Sequence, residues 1–226
     1  MFQRLQSIQA RIQTACERSQ RHPEQVVLLP VSKTFPNEAV LEAKQLGLKR
    51  FGENRGPDIK ARVESLHDES LQWVMIGHLQ SRKAVDIAQY AAELQSLDRL
   101  SLAETLERRL QQAGRPLPVL IQIKTAAEAS KSGLDPEELP AFLKALQAYS
   151  CLRPEGLMTM ATHTTDEAEI RRCFALARRS LEAVQDQYPQ MQRLSMGMSN
   201  DFELAIEEGS TEVRVGSSLF GKRQTV

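Results

Sequence analysis

Eight short, mostly apolar segments alternate with helix-forming segments along the chain, and this alternation limits the possible folds more than any other feature. Such segments suit strands that are buried on both faces. Strands that alternate with helices form a parallel sheet with right-handed crossovers, and eight such units can close into a barrel. The predicted strands cover residues 26–31, 50–52, 73–76, 94–97, 117–123, 155–158, 193–196 and 212–215.

The sequence predicts an α/β protein, a single (β/α)₈ TIM barrel that occupies residues 1–226 as one domain. An extra N-terminal helix precedes the first strand, because Leu5, Ile8, Ile12 and Cys16 repeat with helical spacing. An open, doubly wound sheet is the alternative. Its usual nucleotide motif, GxGxxG after the first strand, is absent, since SKTFPN stands there.

Charge and the N-terminal sequence exclude several classes of protein. Lys+Arg and Asp+Glu both number 29, and a balanced charge argues against nucleic acid or an anionic membrane as the main partner. The N-terminal MFQRLQSIQARIQ lacks the apolar core of a signal peptide, and no apolar run is long enough to span a membrane. We therefore expect a cytoplasmic protein. Its cysteines and histidines show no metal-ligand spacing, so no metal site is predicted.

Polar residues cluster after the predicted strands, which is where barrel enzymes carry their active sites. His78 is one of them, and a single histidine at a barrel rim is more often structural than catalytic. The residues at these positions are Lys33, Glu53, Asn54, His78, Asp98, Lys124, Thr159, Ser199, Arg214, Gly216 and Ser217.

Lys33 follows the first strand directly, in the sequence VVLLPVSKTFP. A lysine that loses water at the end of a buried strand has a lowered pKa, and its neutral amine can form a Schiff base. The alternative is a lysine whose ammonium group reaches the solvated rim and has no chemical role. The stretch alone does not decide between them.

The connections after the seventh and eighth strands, MGMSND and VGSS, are rich in small residues. In barrels of this kind these two connections often bind phosphate, since small residues let backbone N–H groups approach an anion. Ser199 and Ser217 can add hydroxyl donors. In the alternative interpretation Asn200 and Glu203 form a capping box for the next helix. Two such connections together favour a phosphate site.

Arg214 lies between Val213 and Val215, so strand alternation directs its side chain into the barrel. A buried guanidinium group requires an acceptor. The candidates are a carboxylate, Glu53 or Glu155, or an atom of a ligand.

Beyond these features, several motifs resemble the pyridoxal phosphate homeostasis protein family, also called proline synthase co-transcribed homologues. The most specific are LSMGMS and RVGSSLFGKR. Members of this family bind pyridoxal 5′-phosphate (PLP) on a barrel similar to the N-terminal domain of alanine racemases, a fold type III arrangement. The resembling motifs are VSKTFP, FGENR, WVMIGHLQSRK, SLD, SKSGL, GLMTM, LSMGMSNDFELAI and EVRVGSSLFGKR.

The resemblance implies a role for each matching residue. Lys33 would form the internal aldimine with PLP, and Arg214 would face the pyridine nitrogen. The phosphate would be held by Ser199, Gly216 and Ser217, and the ring would be lined by Asn54, His78 and Met196. Two positions depart from the family pattern. Lys124 and Arg82 stand where asparagine is common, and Lys124 would add positive charge to the cavity mouth.

The expected function is to hold PLP and take part in intracellular PLP (vitamin B6) and amino-acid homeostasis, without efficient catalysis and with no catalytic residue assigned. Arg214 can only donate hydrogen bonds, so it cannot stabilise a protonated pyridine nitrogen. The three tyrosines precede strands, far from Lys33, and we expect no second domain. We expect a monomer that supplies apo PLP-dependent enzymes. The alternatives are a PLP-dependent racemase or decarboxylase, and a Schiff-base aldolase acting on a sugar phosphate.

Overall fold

A computed structural model describes residues 1–126 and 132–221. Ser130, Lys131, Lys222 and Arg223, which belong to two of the family motifs, lie outside the described residues. The structure contains eight strands, as predicted: β1 Val27–Pro30, β2 Arg50–Glu53, β3 Gln72–Met75, β4 Glu93–Leu97, β5 Leu117–Gln122, β6 Leu152–Met158, β7 Arg193–Met198 and β8 Glu212–Val215.

The strands form one parallel sheet in the order β1-β8-β7-β6-β5-β4-β3-β2. An isolated parallel bridge between Val31 and Gly52 joins the two outermost strands, and Ser32 N donates to Gly52 O over 3.1 Å. The sheet therefore curls into a nearly closed TIM barrel, which confirms the predicted fold class.

Helices surround the barrel between successive strands. The helical bounds are α1 Phe2–Arg18, α2 Asn37–Gln45, α3 Gly56–Leu66, α4 Ala84–Tyr90, α5 Leu100–Ala113, α6 Leu139–Leu146, α7 Glu167–Gln185, α8 Phe202–Glu207 and α9 Ser217–Phe220. Short 3₁₀ turns, Ser81–Lys83 and Pro136–Glu138, directly precede α4 and α6. In the part of the chain that the structure describes, no helix is long and apolar enough to cross a membrane.

The extra helix α1 packs against the last elements of the chain. Its buried face is the one that the spacing predicted, with Leu5, Ile8, Ile12 and Cys16 buried. Arg4 Nε donates to Leu219 O over 2.7 Å, and Arg21, which follows the helix, donates through Nη1 to Ile206 O over 2.8 Å. Helix α1 thus joins α8 and α9, which follow the two predicted phosphate connections.

Apolar side chains fill the layer between barrel and helices, whereas the inside of the barrel holds an ionic network. Arg50 donates to Glu93 over 2.8 Å and to Glu212 over 2.9 Å. Arg193 contacts the same two carboxylates over 2.8 and 3.2 Å and reaches Glu155 over 3.1 Å. Each buried charge has opposite charges beside it, which offsets the cost of removing it from water.

The first strand is less buried than the sequence predicts. Val27, at its start, is 45% exposed, and burial becomes complete only toward the Lys33 end. The end of β1 that leads to the predicted site is therefore the part enclosed on both faces.

Candidate functional site

An open cavity of about 1520 Å³ lies at the carboxyl ends of the strands. Parallel strands place all their carboxyl ends at one edge, so residues distant in sequence meet there. Seven of the eight predicted site residues line it: Lys33, Asn54, His78, Ser199, Arg214, Gly216 and Ser217.

Met196 is the exception, because it does not line the cavity, contrary to its predicted place against the ring. Its side chain is fully buried in the apolar layer together with Leu194. Ser195, between them, points into the barrel and donates to Gln95 Oε1 over 2.7 Å. Side chains alternate along a strand, so a buried inward Ser195 directs Met196 outward. Among the methionines, Met158, Met160 and Met198 line the cavity instead.

Lys33 lies in a tight turn after β1 and is half-buried. The Phe35 N–H donates to Ser32 O over 3.0 Å and closes the turn around Lys33 and Thr34. Thr34 has a φ of +70°, which is rare for a β-branched residue. Ser32 is fully buried, and its hydroxyl donates to Glu53 over 2.7 Å. The position of Lys33 is therefore held by the end of β2 as well as by β1.

Arg214 is buried at the bottom of the cavity. It donates to Ser195 Oγ and to the Thr159 carbonyl oxygen, both over 2.8 Å. Burial lowers the pKa of Arg214 to about 10, although Glu212 and Asp201 oppose this effect, so the group stays cationic at neutral pH. Its contacts leave further N–H donors of the five that a guanidinium carries, and these can serve a ligand in the cavity.

Neither carboxylate considered from the sequence is the acceptor for Arg214. Glu53 accepts hydrogen bonds from Ser32 and Arg62, and Glu155 pairs with Arg193. The contact of Arg214 with Glu212 is indirect and passes through the Ser195 hydroxyl, which lies 3.3 Å from Glu212 Oε1.

Close packing and two hydrogen bonds fix the path of the chain from the end of β7 to α8. Gly197 has a φ of +94°, and a Cβ there would lie 2.6 Å from Ala205 Cβ. Asp201, the residue before α8, accepts a hydrogen bond from Met198 N over 2.5 Å. Arg11 of α1 donates to Ser199 O over 3.3 Å. The chain is thus bent tightly, with Ser199 facing the cavity.

The capping box considered for Asn200 and Glu203 does not form. Helix α8 begins at Phe202, so Asp201 occupies the capping position. Glu203 instead accepts a hydrogen bond from Arg11 Nε over 2.6 Å. The polar residues of this connection are therefore not explained by helix capping through Asn200.

The connection after β8 approaches β1 closely. A Cβ on Gly216 would lie 3.3 Å from Val31 O, so the backbone leaves little space for a side chain. Gly216 O accepts from Leu219 N over 2.9 Å, which starts the short helix α9. Ser217 is exposed at the cavity. This geometry suits an anion approached by backbone donors.

The side of the cavity formed by β2 and β3 carries Asn54 and His78. A Cβ on Gly77 would lie 2.2 Å from Asn54 O, so only glycine lets these two strand ends pack together. The His78 side chain is 49% exposed, and its Nδ1 lies 3.6 Å from Asp98 Oδ2. His78 is thus a rim residue with a carboxylate nearby.

The two departures from the family pattern lie away from the main cavity. Lys124 lines a separate small pocket, and its Nζ lies 3.7 Å from Asp135 Oδ1. Arg82 stands on the 3₁₀ turn before α4 and donates to Gln80 over 3.0 Å. Lys124 therefore does not add its charge to the lining of the main cavity.

Sequence reasoning missed the contribution of α1 and of the connection between β6 and α7. Arg11 lines the cavity from α1, and residues 160–165 line it after β6. A helix that precedes the barrel in sequence gives no local signal that it reaches a strand-end cavity. The run of threonines and a histidine in 162–165 was the available signal for the second segment.

Two kinds of group are absent from this cavity. None of the tyrosines, Tyr90, Tyr149 and Tyr188, lines it, and each lies just before a strand, at the opposite end of the barrel. Within residues 1–126 and 132–221, no group of three or more His, Cys, Asp or Glu side chains could hold a metal ion.

Comparison with known proteins places the chain in a family. Residues 4–224 match the sequence profile described as "Alanine racemase, N-terminal domain". The chain is 41% identical over 216 residues to a protein of Pseudomonas aeruginosa named "Pyridoxal phosphate homeostasis protein", with 96% of this chain and 93% of that protein covered.

Solved structures agree with this assignment. PipY of Synechococcus elongatus, solved without PLP and with PLP bound, superimposes with TM-scores of 0.84 and 0.82 at 38% identity. The superposition covers 95% of this chain and 100% of PipY. The chain therefore belongs to the pyridoxal phosphate homeostasis protein family, whose barrel is that of the alanine racemase N-terminal domain.

Proposed function

We propose that this protein binds PLP in the strand-end cavity, anchors it to Lys33, and holds it for use in PLP and amino-acid homeostasis. The observation that carries the proposal is the convergence of an amine, a buried cation and two small-residue connections on one cavity. These groups come from Lys33, Arg214, and the segments around Ser199 and Gly216.

The donor set fits the chemistry of PLP. An aldehyde condenses with a lysine amine with loss of water, and Lys33 is the cavity lysine among the described residues. A dianionic phosphate suits the connections after β7 and β8, because small residues let backbone N–H groups approach the anion. At Gly216 a Cβ would lie only 3.3 Å from Val31 O. Arg214 can donate a hydrogen bond to an unprotonated pyridine nitrogen. Asn54 and His78 would flank the ring.

The same residues support holding rather than turnover. An efficient PLP enzyme stabilises negative charge through a protonated ring nitrogen, and a donor-only guanidinium does not favour that proton. A two-base proton exchange also needs an acid or base on each face of the substrate. Tyr90, Tyr149 and Tyr188 lie at the far end of the barrel and cannot supply the second one. We propose no catalytic residue.

The proposal also covers the oligomeric state of the protein, its cellular compartment and its partners. Residues of one chain supply every group of the proposed site, so we propose that a monomer is sufficient to bind PLP. Cys16, Cys151 and Cys173 are free thiols, which suits the reducing cytoplasm. Lys33 is half-buried and His78 and Ser217 are exposed, so the site is open to an incoming amine. Apo PLP-dependent enzymes are the proposed recipients.

Borohydride trapping tests the covalent anchor. Wild-type protein incubated with PLP should show a visible absorbance band that borohydride removes, and peptide mapping should locate the reduced adduct on Lys33. Lys33→Ala should lose both signals, whereas Lys124→Ala, the matched control outside the cavity, should keep them. An adduct on Lys124 or Lys131 would overturn the assignment, and absence of any band would favour a sugar-phosphate aldolase instead.

A second measurement tests the absence of turnover. Protein loaded with PLP is incubated with L-alanine and other L-amino acids, and the products are analysed by chiral chromatography. We expect no racemisation or decarboxylation at ordinary enzymatic rates, and transfer of PLP to an apo-enzyme. Rapid formation of D-alanine would contradict the carrier function and support the racemase alternative.

A further inference from the structure

Arg62 is a nearly buried arginine whose role is not explained by the cavity lining. It lies on α3, its side chain is 11% exposed, and it reaches across to the connection between β1 and α2. Its guanidinium group donates to four acceptors in β2, in α2 and in the connection between β1 and α2: Glu53 Oε1, Asn37 Oδ1, Ser32 O and Phe35 O.

Two of these contacts close the turn that contains Lys33. A single nitrogen, Arg62 Nη2, donates to Ser32 O over 3.2 Å and to Phe35 O over 2.5 Å. These are the carbonyl groups at the two ends of the four-residue turn, with Lys33 and Thr34 between them. The guanidinium group therefore fixes the distance across the turn.

The turn needs such support because its backbone is strained. Thr34 adopts a φ of +70°, and a β-branched residue in that region is held there only when its surroundings require it. The Phe35 N–H to Ser32 O bond alone closes a turn but does not select this conformation. Contacts from Arg62 to both carbonyl groups supply the additional constraint.

Glu53 fixes the arginine in turn. It is buried at 1% exposure and accepts from Ser32 Oγ over 2.7 Å and from Arg62 Nε over 3.3 Å. Burial raises the pKa of Glu53, and the Ser32 hydroxyl and the Arg62 charge oppose that rise. A lysine could replace the charge but not the planar fork that reaches a carboxylate and two carbonyl groups at once.

We infer that Arg62 is a positioning residue for Lys33, which holds the 32–35 turn so that the lysine amine meets the ligand aldehyde. The inference rests on the proposed function. Arg62 does not line the cavity, so its effect should be confined to formation of the covalent bond. Binding of the phosphate at the β7 and β8 connections should be independent of it.

Two probes separate these effects. PLP reports the covalent bond together with phosphate binding, whereas 4′-deoxypyridoxine 5′-phosphate has the ring and phosphate but no aldehyde. In Arg62→Gln we expect the apparent affinity for PLP to fall about tenfold or more, from the loss of charged hydrogen bonds. Borohydride trapping at Lys33 should slow as well. The affinity for 4′-deoxypyridoxine 5′-phosphate should stay within about twofold of wild type.

Two further variants complete the design. Arg62→Lys keeps the charge beside Glu53 and should give an intermediate loss for PLP, which keeps the test valid if Arg62→Gln does not fold. Lys60→Gln is the matched control, because Lys60 lies on the same helix but pairs only weakly on the surface, 3.8 Å from Glu64. It should bind both probes as wild type does.

The outcomes distinguish the inference from the proposed function. Equal losses for both probes in folded Arg62 variants would mean that Arg62 supports the fold in general, and would overturn the inference. Unchanged trapping and affinity would overturn it as well. If wild type itself forms no adduct at Lys33, the proposed function fails before the variants are compared, and the inference falls with it.

Discussion

Phe35 and Phe220 stack on each other, with ring centroids 4.9 Å apart and ring planes inclined by 27°. Phe35 belongs to the connection that carries Lys33, and Phe220 closes α9, which begins at Ser217. Strands β1 and β8 are neighbours in the sheet, so the two connections meet above them. The stack thus joins the proposed covalent anchor to one half of the proposed phosphate site.

A double-mutant cycle measures this connection. Phe220→Ala should destabilise the fold by about 3 kcal/mol and the half-buried Phe35→Ala by about 1 to 2 kcal/mol, from lost burial. The two rings should also be coupled by about 1 kcal/mol beyond additivity. Urea unfolding of the two single variants and the double variant gives the coupling. Additive losses would mean that the stack does not link the two connections.

Gly216 should matter more for the phosphate than Ser199 does. Gly216→Val would place a side chain against Val31 O and block approach of the backbone, whereas Ser199→Ala removes only one hydroxyl. We expect Gly216→Val to weaken PLP binding more than Ser199→Ala in absorbance titrations. Pyridoxal, which lacks the phosphate, is the control ligand and should distinguish the variants much less. Equal, negligible effects of both substitutions on PLP would count against a phosphate site here.

Gly197 is required by the bend between β7 and α8. Gly197→Ala combines an unfavourable φ of +94° with a Cβ only 2.6 Å from Ala205 Cβ, so we expect a loss of about 2 kcal/mol or more. Gly114→Ala is the matched control, because its φ is +65° and nothing lies within 4 Å of the new Cβ. That change should cost only about 1 kcal/mol. Similar losses in thermal or urea unfolding would show that the contact with α8 is unimportant.

The ion pair between Lys44 and Asp68 predicts a pH-dependent stability. The hydrogen bond from Lys44, with help from Ser70, lowers the pKa of Asp68 to about 2. In the unfolded chain this carboxyl has a pKa of about 3.9, so the unfolded state binds the proton more readily. The stabilisation is therefore complete above that value and is lost as the pH falls toward the folded pKa.

Asp68→Asn should accordingly lower the melting temperature near neutral pH, and its difference from wild type should shrink below about pH 4. Thermal melts followed by circular dichroism across this range provide the measurement. Glu69→Gln, at the exposed neighbouring position, serves as the control. A difference that stays constant with pH would contradict the assignment to the Asp68 carboxylate.

Most of the fold could be predicted because its signals are local. The alternation of apolar strands and helices along the chain predicts the barrel, and a barrel brings all strand ends to one edge. Lys33, Asn54, His78, Ser199, Arg214, Gly216 and Ser217 line one cavity for that reason. The same periodicity, applied to Leu194, Ser195 and Met196, would have directed Met196 away from the cavity. The family resemblance, which assigned it to the ring, does not describe the direction of a side chain.

The sequence by itself determined the order of strands along the chain and the edge of the barrel at which their polar residues meet. Both follow from side-chain periodicities of two and 3.6 residues within short segments. The partners of the buried charges were decided only by tertiary structure. Arg214 binds Ser195 and Thr159 rather than Glu53 or Glu155, Arg62 closes the Lys33 turn from α3, and Arg11 reaches the cavity from α1. A long flexible side chain can satisfy its hydrogen bonds with any acceptor within reach, and only the packed barrel determines which acceptors those are.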